Sequence, residues 1–220
     1  MQTDMTVGKP MKMLLNFTIP VFLGNVFQQL YSMADAVIVG KFVGTKGLAA
    51  VGATGTITFL IIGFLMGVTT GVTVLTSQKF GAGRMDEMRK TVGNAAILSA
   101  VIAVVMTAVS MLGMHRLLVF MHTPEDIFDG AYGYIMIICA GIFTQVLYNL
   151  VSSILRALGN SKTPLYFLIL AAGLNIVLDL VFIIFFHWGA PGAAWATVIF
   201  TGSVRSSLPD LYVEAVPELR

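Results

Sequence analysis

The sequence predicts an all-α polytopic membrane protein, and two observations support this fold class. Of the 220 residues, 57% are hydrophobic and only 11% are charged, whereas a soluble domain carries about 25% charged residues. The uncharged residues also form runs close to the ~20 residues that a helix needs to cross a hydrocarbon core. These charge-free runs are Met13–Ala34, Gly47–Gln78, Thr91–Met114, Gly130–Leu155 and Thr163–Leu178.

Six spans are predicted, separated by short loops that contain Gly, Pro and charged residues. The spans are Met11–Val39, Leu48–Gln78, Thr91–Leu118, Ala131–Leu155, Pro164–Phe186 and a sixth that starts near Pro191. The apolar pattern stops after about Thr201. We therefore divide the chain into a transmembrane unit, residues 1–202, whose last helix is short, and a polar tail, residues 203–220. We expect the tail to result from truncation or a frameshift, and a true polar tail on a short span is the alternative.

The first span carries a polar stripe, because Asn25, Gln28, Ser32 and Asp35 are three or four residues apart and share one helix face. A lipid-facing helix would not carry such a stripe, so this face is expected to line a cavity or contact protein. Pro20 removes one backbone hydrogen bond and predicts a hinge. For the amides, hydrogen bonding between helices is an equally good interpretation. A carboxylate in a span is costly, which favours a functional role for Asp35.

Two further spans carry patterns of small or polar residues. In the second span, Gly63, Gly67 and Gly71 form a small-xxx-small ladder that predicts close helix packing. The fourth span has a polar face that we expect to line a cavity. Its residues are Gln145, Tyr148, Asn149 and Ser152.

The fifth and sixth spans add polar groups that can meet the first. Asn175 and Asp179 are four residues apart and share a face, and the sixth span offers Thr197. Together with Asp35 they would form a small pocket of oxygen atoms. Such a pocket can hold a proton, because burial favours the neutral form of a carboxylic acid, or Na⁺, a hard cation that prefers oxygen ligands. A static hydrogen-bonded cluster is the third alternative.

The distribution of basic residues predicts the orientation, because Lys and Arg concentrate in cytoplasmic loops. With the N-terminus inside, eight basic residues are cytoplasmic and three are external. The inner set is Lys9, Lys12, Lys79, Arg84, Arg89, Lys90, Arg156 and Lys162, and the outer set is Lys41, Lys46 and Arg116. We therefore expect a cytoplasmic N-terminus.

The sequence shows no enzyme constellation, so no catalytic residues are proposed. Gly81-Ala82-Gly83-Arg84 lacks the Lys-Ser/Thr of a phosphate-binding loop. The single cysteine, Cys139, excludes an intramolecular disulfide. No Cys/His spacing indicates a metal site, and no basic face indicates nucleic-acid binding.

Several motifs resemble the N-terminal half of the multidrug and toxic compound extrusion (MATE) transporters, in the prokaryotic drug-exporter branch. They occur in the family's order and cover nearly the whole chain to about Thr201. The motifs are Ile19-Pro20, Ala34-Asp35, Val39-Gly40-Lys41, Ala49-Ala50-Val51-Gly52, Gly81-Ala82-Gly83-Arg84, Arg156-Ala157-Leu158-Gly159-Asn160, Leu174-Asn175 and Leu178-Asp179.

The resemblance implies one six-helix lobe of a twelve-helix transporter in the plasma (inner) membrane of a prokaryote. Such a transporter exports small organic, often cationic, compounds in exchange for H⁺ or Na⁺, and needs no cofactor beyond that ion. The resemblance also implies a bending point at Pro20. The cation-coupling residues it implies, and the only candidates for holding Na⁺, are Asp35, Asn175, Asp179 and Thr197.

The partners expected from the resemblance are the lipid bilayer, the transported compound and a second lobe. A family member closes its cavity with that second lobe, which this chain does not contain. Self-association is an alternative, because parallel repeats are related in the same way.

Two other functions are weighed against export. A lipid-linked sugar flippase of the same superfamily would show more basic residues facing the cavity, and only Arg156, interpreted as a loop end, lies near a span. A non-transporting membrane fragment or scaffold is the other, and the polar tail supports it.

Overall fold

The computed structural model describes residues 10–199 and 201–202, and the predicted tail lies outside them. Within this part the regular structure is entirely helical. The helices are α1 (Pro10–Phe42), α2 (Thr45–Gly81), α3 (Met85–Phe120), α4 (Glu125–Ala140), α5 (Ile142–Ala157), α6 (Lys162–Leu180) and α7 (residues 189–199). A π-helical turn, Val181–Phe185, continues α6.

Four helices are individually long and apolar enough to cross a membrane: α1, α2, α3 and α6 with its π-helical turn. The pair α4 and α5 makes a fifth span if its two halves are counted together. These elements follow the order of the first five predicted spans, and α7 occupies the place of the sixth. The all-α membrane fold predicted from the sequence is confirmed.

The fourth span differs from the prediction, because it is not one continuous helix. α4 and α5 are bent by 47° at a break at Gly141. A Cβ atom at this position would lie 2.5 Å from Cγ2 of Val198 on α7. Glycine therefore allows α7 to approach the backbone at the bend, and hydropathy alone gave no sign of it.

The glycine ladder of α2 is a second departure from the prediction. A Cβ atom built on Gly63, Gly67 or Gly71 would meet nothing within 4 Å. This face of α2 is open, so the close helix packing predicted there is not made among the described residues.

α3 begins six residues before the predicted start, at Met85 rather than Thr91. Asp86 and Glu87 in its first turn suit the positive end of the helix dipole. Glu87 also pairs with Arg84 at 3.6 Å and with Lys79 across the turn from α2. These charge interactions favour a helical conformation in residues 85–90, which the sequence predicts as a loop.

The helices form two packing groups. α2 lies against α3, α4 and α5, and the apolar core between them includes Leu65, Leu118 and Ile135, each at most 2% exposed. α1 packs mainly on α6. Many large apolar side chains point outward, for example Leu112 at 85% and Phe59 at 75% exposure. Such a surface suits lipid contact, where helix association depends on close packing and polar contacts rather than on hydrophobic burial.

Candidate functional site

The packing of α1 on α6 brings the two intramembrane acids together. Asp35 lies on α1, and Asp179 lies near the end of α6, two residues before the π-helical turn. Their carboxyl groups are close enough to share a hydrogen bond when one of them carries a proton. Asp179 is fully buried and Asp35 is partly buried. The two acids therefore form one site, here called the acid pair.

Several polar atoms at the acid pair lack a protein partner. Among the described residues, neither carboxyl oxygen of Asp179 accepts a hydrogen bond, and neither does Oδ1 of Asp35. The fully buried side chain of Asn175, one helical turn before Asp179, likewise has both polar atoms unpaired. Buried polar groups are normally satisfied. A proton shared by the carboxyl groups would satisfy oxygens of the acid pair, and a hard cation held by carboxylate and amide oxygens would also satisfy Oδ1 of Asn175. The Nδ2 donor of Asn175 needs an acceptor in either case.

Thr197 lies on α7, half-buried, and its Oγ1 donates to the carbonyl of Ala193 at 3.1 Å. It lines the same cavity as Asp35. Asn175 and Asp179 do not contribute to the lining of that cavity. The structure thus brings Asp35 together with Asp179 at the carboxyl contact and with Thr197 around the cavity. Asn175 lies one turn before Asp179 on α6 and outside the cavity lining.

This first cavity measures about 160 Å³ and is bounded by α1, α2, α4, α5 and α7. Asp35 is the only charged residue in its described lining. Ser32 and Gln145, predicted from helix faces, both line it, and the Ser32 hydroxyl donates to the carbonyl of Gln28 at 3.1 Å. A cavity with a single acidic charge is suited to a cation.

A second cavity, of about 80 Å³, lies between α1, α5 and α6. It collects the other predicted polar residues, together with the buried Pro20. The predicted polar residues in its lining are Asn25, Gln28, Tyr148 and Asn149. Their roles, like the hinge at Pro20, remain predictions.

Sequence reasoning did not single out several residues of these cavities, among them Tyr134 and Arg156. Tyr134, 8% exposed, lines the first cavity, but an aromatic residue in an apolar run gives no signal. Arg156, interpreted as a loop end, lines the second cavity instead. A signal existed for Arg156, because it lies four residues after Ser152 and seven after Asn149, on the polar face of α5.

Comparison with known proteins identifies the family. The MatE family model matches residues 20–181. The chain belongs to the MatE family. The resemblance found in the sequence motifs is therefore confirmed.

The relatives of this MatE chain include multidrug resistance proteins and solved transporters. It is 33% identical over 199 residues to the probable multidrug resistance protein YpnP of Bacillus subtilis, covering 90% of this chain and 45% of that one. It is 29% identical, with a TM-score of 0.87, to a solved MOP superfamily transporter from Pyrococcus furiosus. The same values relate it to the outward-facing conformation of a multidrug resistance MATE family transporter.

The length of the match bears on what this chain contains. The match covers 91% of this chain but only 44% of each of those solved chains. The chain thus spans about half the length of the relatives it matches, which fits one lobe of a two-lobe transporter.

Proposed function

We propose that this chain is the N-terminal lobe of a cation-coupled exporter of drugs and toxic organic compounds. Family membership and the names of the multidrug resistance relatives support efflux of small molecules across a membrane. The observation that carries the coupling proposal is the acid pair, two carboxyl groups in contact inside the membrane-spanning region. These relatives do not favour the lipid-linked sugar flippase, and we do not propose it.

The physical basis of coupling is the repulsion between two carboxylates. Like charges a few ångströms apart in a medium of low dielectric constant repel strongly. One bound proton turns that repulsion into a hydrogen bond between the acids, and Na⁺ would bridge their oxygens instead. Either ion draws α1 towards α6, and its release loosens the two helices. The position of α1 would thus depend on ion occupancy.

α1 is well suited to be the moving element. Only 6% of its most apolar stretch is buried in the described structure, against 28% for α2 and α6. Apart from its packing on α6, α1 makes few contacts with the other helices, and weakly packed elements supply functional motions. Pro20 lies one third of the way along α1 and leaves one carbonyl without its helical partner. Ion binding at Asp35 would bend the helix there and shift the balance between inward and outward states.

The first cavity supports a cationic organic substrate. Asp35 supplies a negative charge, and the rings of Tyr31 and Tyr134 supply faces that attract a cation. A substrate and a coupling ion that both depend on Asp35 would compete, which is the requirement for exchange. The remaining walls would come from a second lobe.

Export by site variants tests this function. In bacteria that make the chain together with the C-terminal half of a MatE relative, Asp35→Asn and Asp179→Asn should abolish efflux of a fluorescent cationic dye while leaving membrane insertion intact. Asp126→Asn is the matched control, because Asp126 is exposed and pairs with Lys46 at 3.6 Å, far from the acid pair. Wild-type efflux by either acid-pair variant would contradict the coupling role. Absence of efflux from every version would favour a non-transporting fragment.

A further inference from the structure

The second cavity carries the opposite charge to the first. Arg156 is the only charged residue in its described lining, and no carboxylate reaches it there. The lobe therefore contains an acidic cavity and a basic cavity that share α1 and α5 but are lined by different residues. The proposed coupling reaction uses only the acidic one.

The guanidinium of Arg156 is half-buried and only partly satisfied. Its Nε donates to the carbonyl of Ser152 at 3.1 Å. The ion pairs found in the described part of the chain involve Lys46, Lys79 and Arg84, not Arg156. An arginine presents five N–H donors. Among the described residues, its terminal amino groups therefore have no carboxylate partner.

A second donor in the same cavity is also unpaired. The Asn149 side chain is 6% exposed, lines the cavity and has no acceptor for its Nδ2 among the described residues. Leaving a buried donor unpaired is costly, and a ligand that accepts a hydrogen bond from Nδ2 would remove that cost. Asn149 and Arg156 are seven residues apart on α5 and lie on one face.

The start of α6 adds a third source of positive potential. Ser161 and Pro164 line the cavity at the N-terminus of this 19-residue helix. Asn160 fixes the turn that precedes them through two hydrogen bonds to Thr163. Its Oδ1 accepts from the Thr163 backbone N–H at 3.1 Å, and its Nδ2 donates to the Thr163 hydroxyl at 2.9 Å. Helix N-termini favour anions through the positive end of the helix dipole as well as through free N–H groups. Here the Thr163 N–H already bonds to Asn160 and Pro164 has none, so at these two positions α6 offers its dipole and not N–H donors.

We propose that the second cavity is an anion subsite that takes a phosphate group, with Arg156 and Asn149 as its donors. The donors approach from α5 while the N-terminus of α6 faces them, an arrangement that fits a compact oxyanion with several acceptor atoms. The small volume admits the anionic group alone, so the rest of the ligand extends out of the cavity. That ligand is either a soluble phosphate compound or a lipid headgroup. The subsite does not depend on the proposed ion coupling.

Thermal unfolding of the purified 220-residue chain in an uncharged detergent tests the subsite. Sodium phosphate should raise the unfolding midpoint in a saturable way, compared with sodium chloride at equal ionic strength. Arg156→Gln should weaken the apparent affinity about tenfold or more, as expected for a lost charge-assisted hydrogen bond. The matched control is Arg116→Gln, which removes the same charge from an exposed residue outside both cavities and should leave the response unchanged.

Two further variants keep the test decisive if Arg156→Gln does not fold. Asn149→Asp should abolish the response, because the new carboxylate would pair with Arg156 and take the place of the anion. Arg156→Lys should give an intermediate affinity, since lysine keeps the charge and loses the fork of donors. Equal responses in wild type, Arg156→Lys and Asn149→Asp would overturn the proposal.

Dodecyl phosphate carries a phosphate group on one alkyl chain. Comparing it with inorganic phosphate distinguishes a soluble phosphate compound from a lipid headgroup. A response to inorganic phosphate identifies a soluble anion as sufficient, and a response to dodecyl phosphate alone identifies a headgroup from the bilayer. Both results support the subsite if Asn149→Asp removes them. A wild-type chain that responds to neither compound refutes it.

Discussion

Asp35 and Asp179 could be singled out in the sequence because a charge in the membrane is expensive and needs a physical reason. The same logic identified Gln28, Ser32, Gln145, Tyr148 and Asn149, all of which line one of the two cavities. It could not identify Tyr134, since an aromatic side chain is ordinary in an apolar helix. It also misjudged Arg156, because a basic residue at the end of a span is commonly a loop residue and only its helical phase shows otherwise.

Gly141 offers a prediction at the residue scale. Gly141→Ala should destabilise the chain by about 1–3 kcal/mol, the usual cost of overpacking, because the new methyl group would lie 2.5 Å from Cγ2 of Val198. Valine cannot turn away easily, since its branched side chain is restricted in χ1. Thermal unfolding of the purified chain measures the effect.

Two controls define the cause at Gly141. The double variant Gly141→Ala with Val198→Ala should recover part of the lost stability by removing the clashing methyl group. Gly63→Ala should be neutral or stabilising by up to about 1 kcal/mol, because alanine favours the helix and nothing lies within 4 Å. Equal losses at Gly141 and Gly63 would contradict this account of the bend.

At the scale of elements, the sequence located the first five spans well and their internal irregularities poorly. Long charge-free runs are a strong signal, because every span must fill the same hydrocarbon thickness. The break between α4 and α5 depends instead on a contact with α7, which lies more than 50 residues later in the chain. The glycine ladder of α2 did not predict packing among the described residues for a related reason. A small-residue motif does not show which part of the chain, if any, packs against it.

Pro20 gives the prediction that belongs to α1. Pro20→Ala restores a backbone N–H that can bond to the carbonyl of Asn16, so α1 becomes stiffer and dye efflux should fall severely while insertion and thermal stability are kept. Pro164→Ala is the control, because proline in the first turn of α6 replaces no helical hydrogen bond. Efflux assays on the two-lobe assembly compare them. Normal efflux by the Pro20→Ala variant would rule out bending at this residue as a necessary step.

At the scale of the whole molecule, the charge distribution predicts how the lobe is arranged in the bilayer. Eight basic residues against three favour an N-terminus in the cytoplasm, which stays a prediction. The start of α3 would then lie inside and the start of α4 outside. Both ends carry exposed residues that can be labelled, and the only native cysteine, Cys139, is buried.

Cysteine labelling tests this orientation. In a Cys139→Ala background, a membrane-impermeant maleimide applied to intact cells should label Asp126→Cys and should label Lys90→Cys only after permeabilisation. Both positions are exposed, so a difference between them reports sidedness rather than burial. The reverse pattern would place the N-terminus outside.

The central claim is that Asp35 and Asp179 act as one ion-binding unit, and infrared difference spectroscopy of the purified chain tests it without a second lobe. Acidification should produce the C=O stretching band of a protonated carboxyl group shielded from water. Asp35→Asn and Asp179→Asn should each remove or shift that band, whereas Asp126→Asn should not. Discharge of the band by Na⁺, but not by K⁺, would identify Na⁺ as a competing ligand. An identical band in wild type and both acid-pair variants would contradict the account.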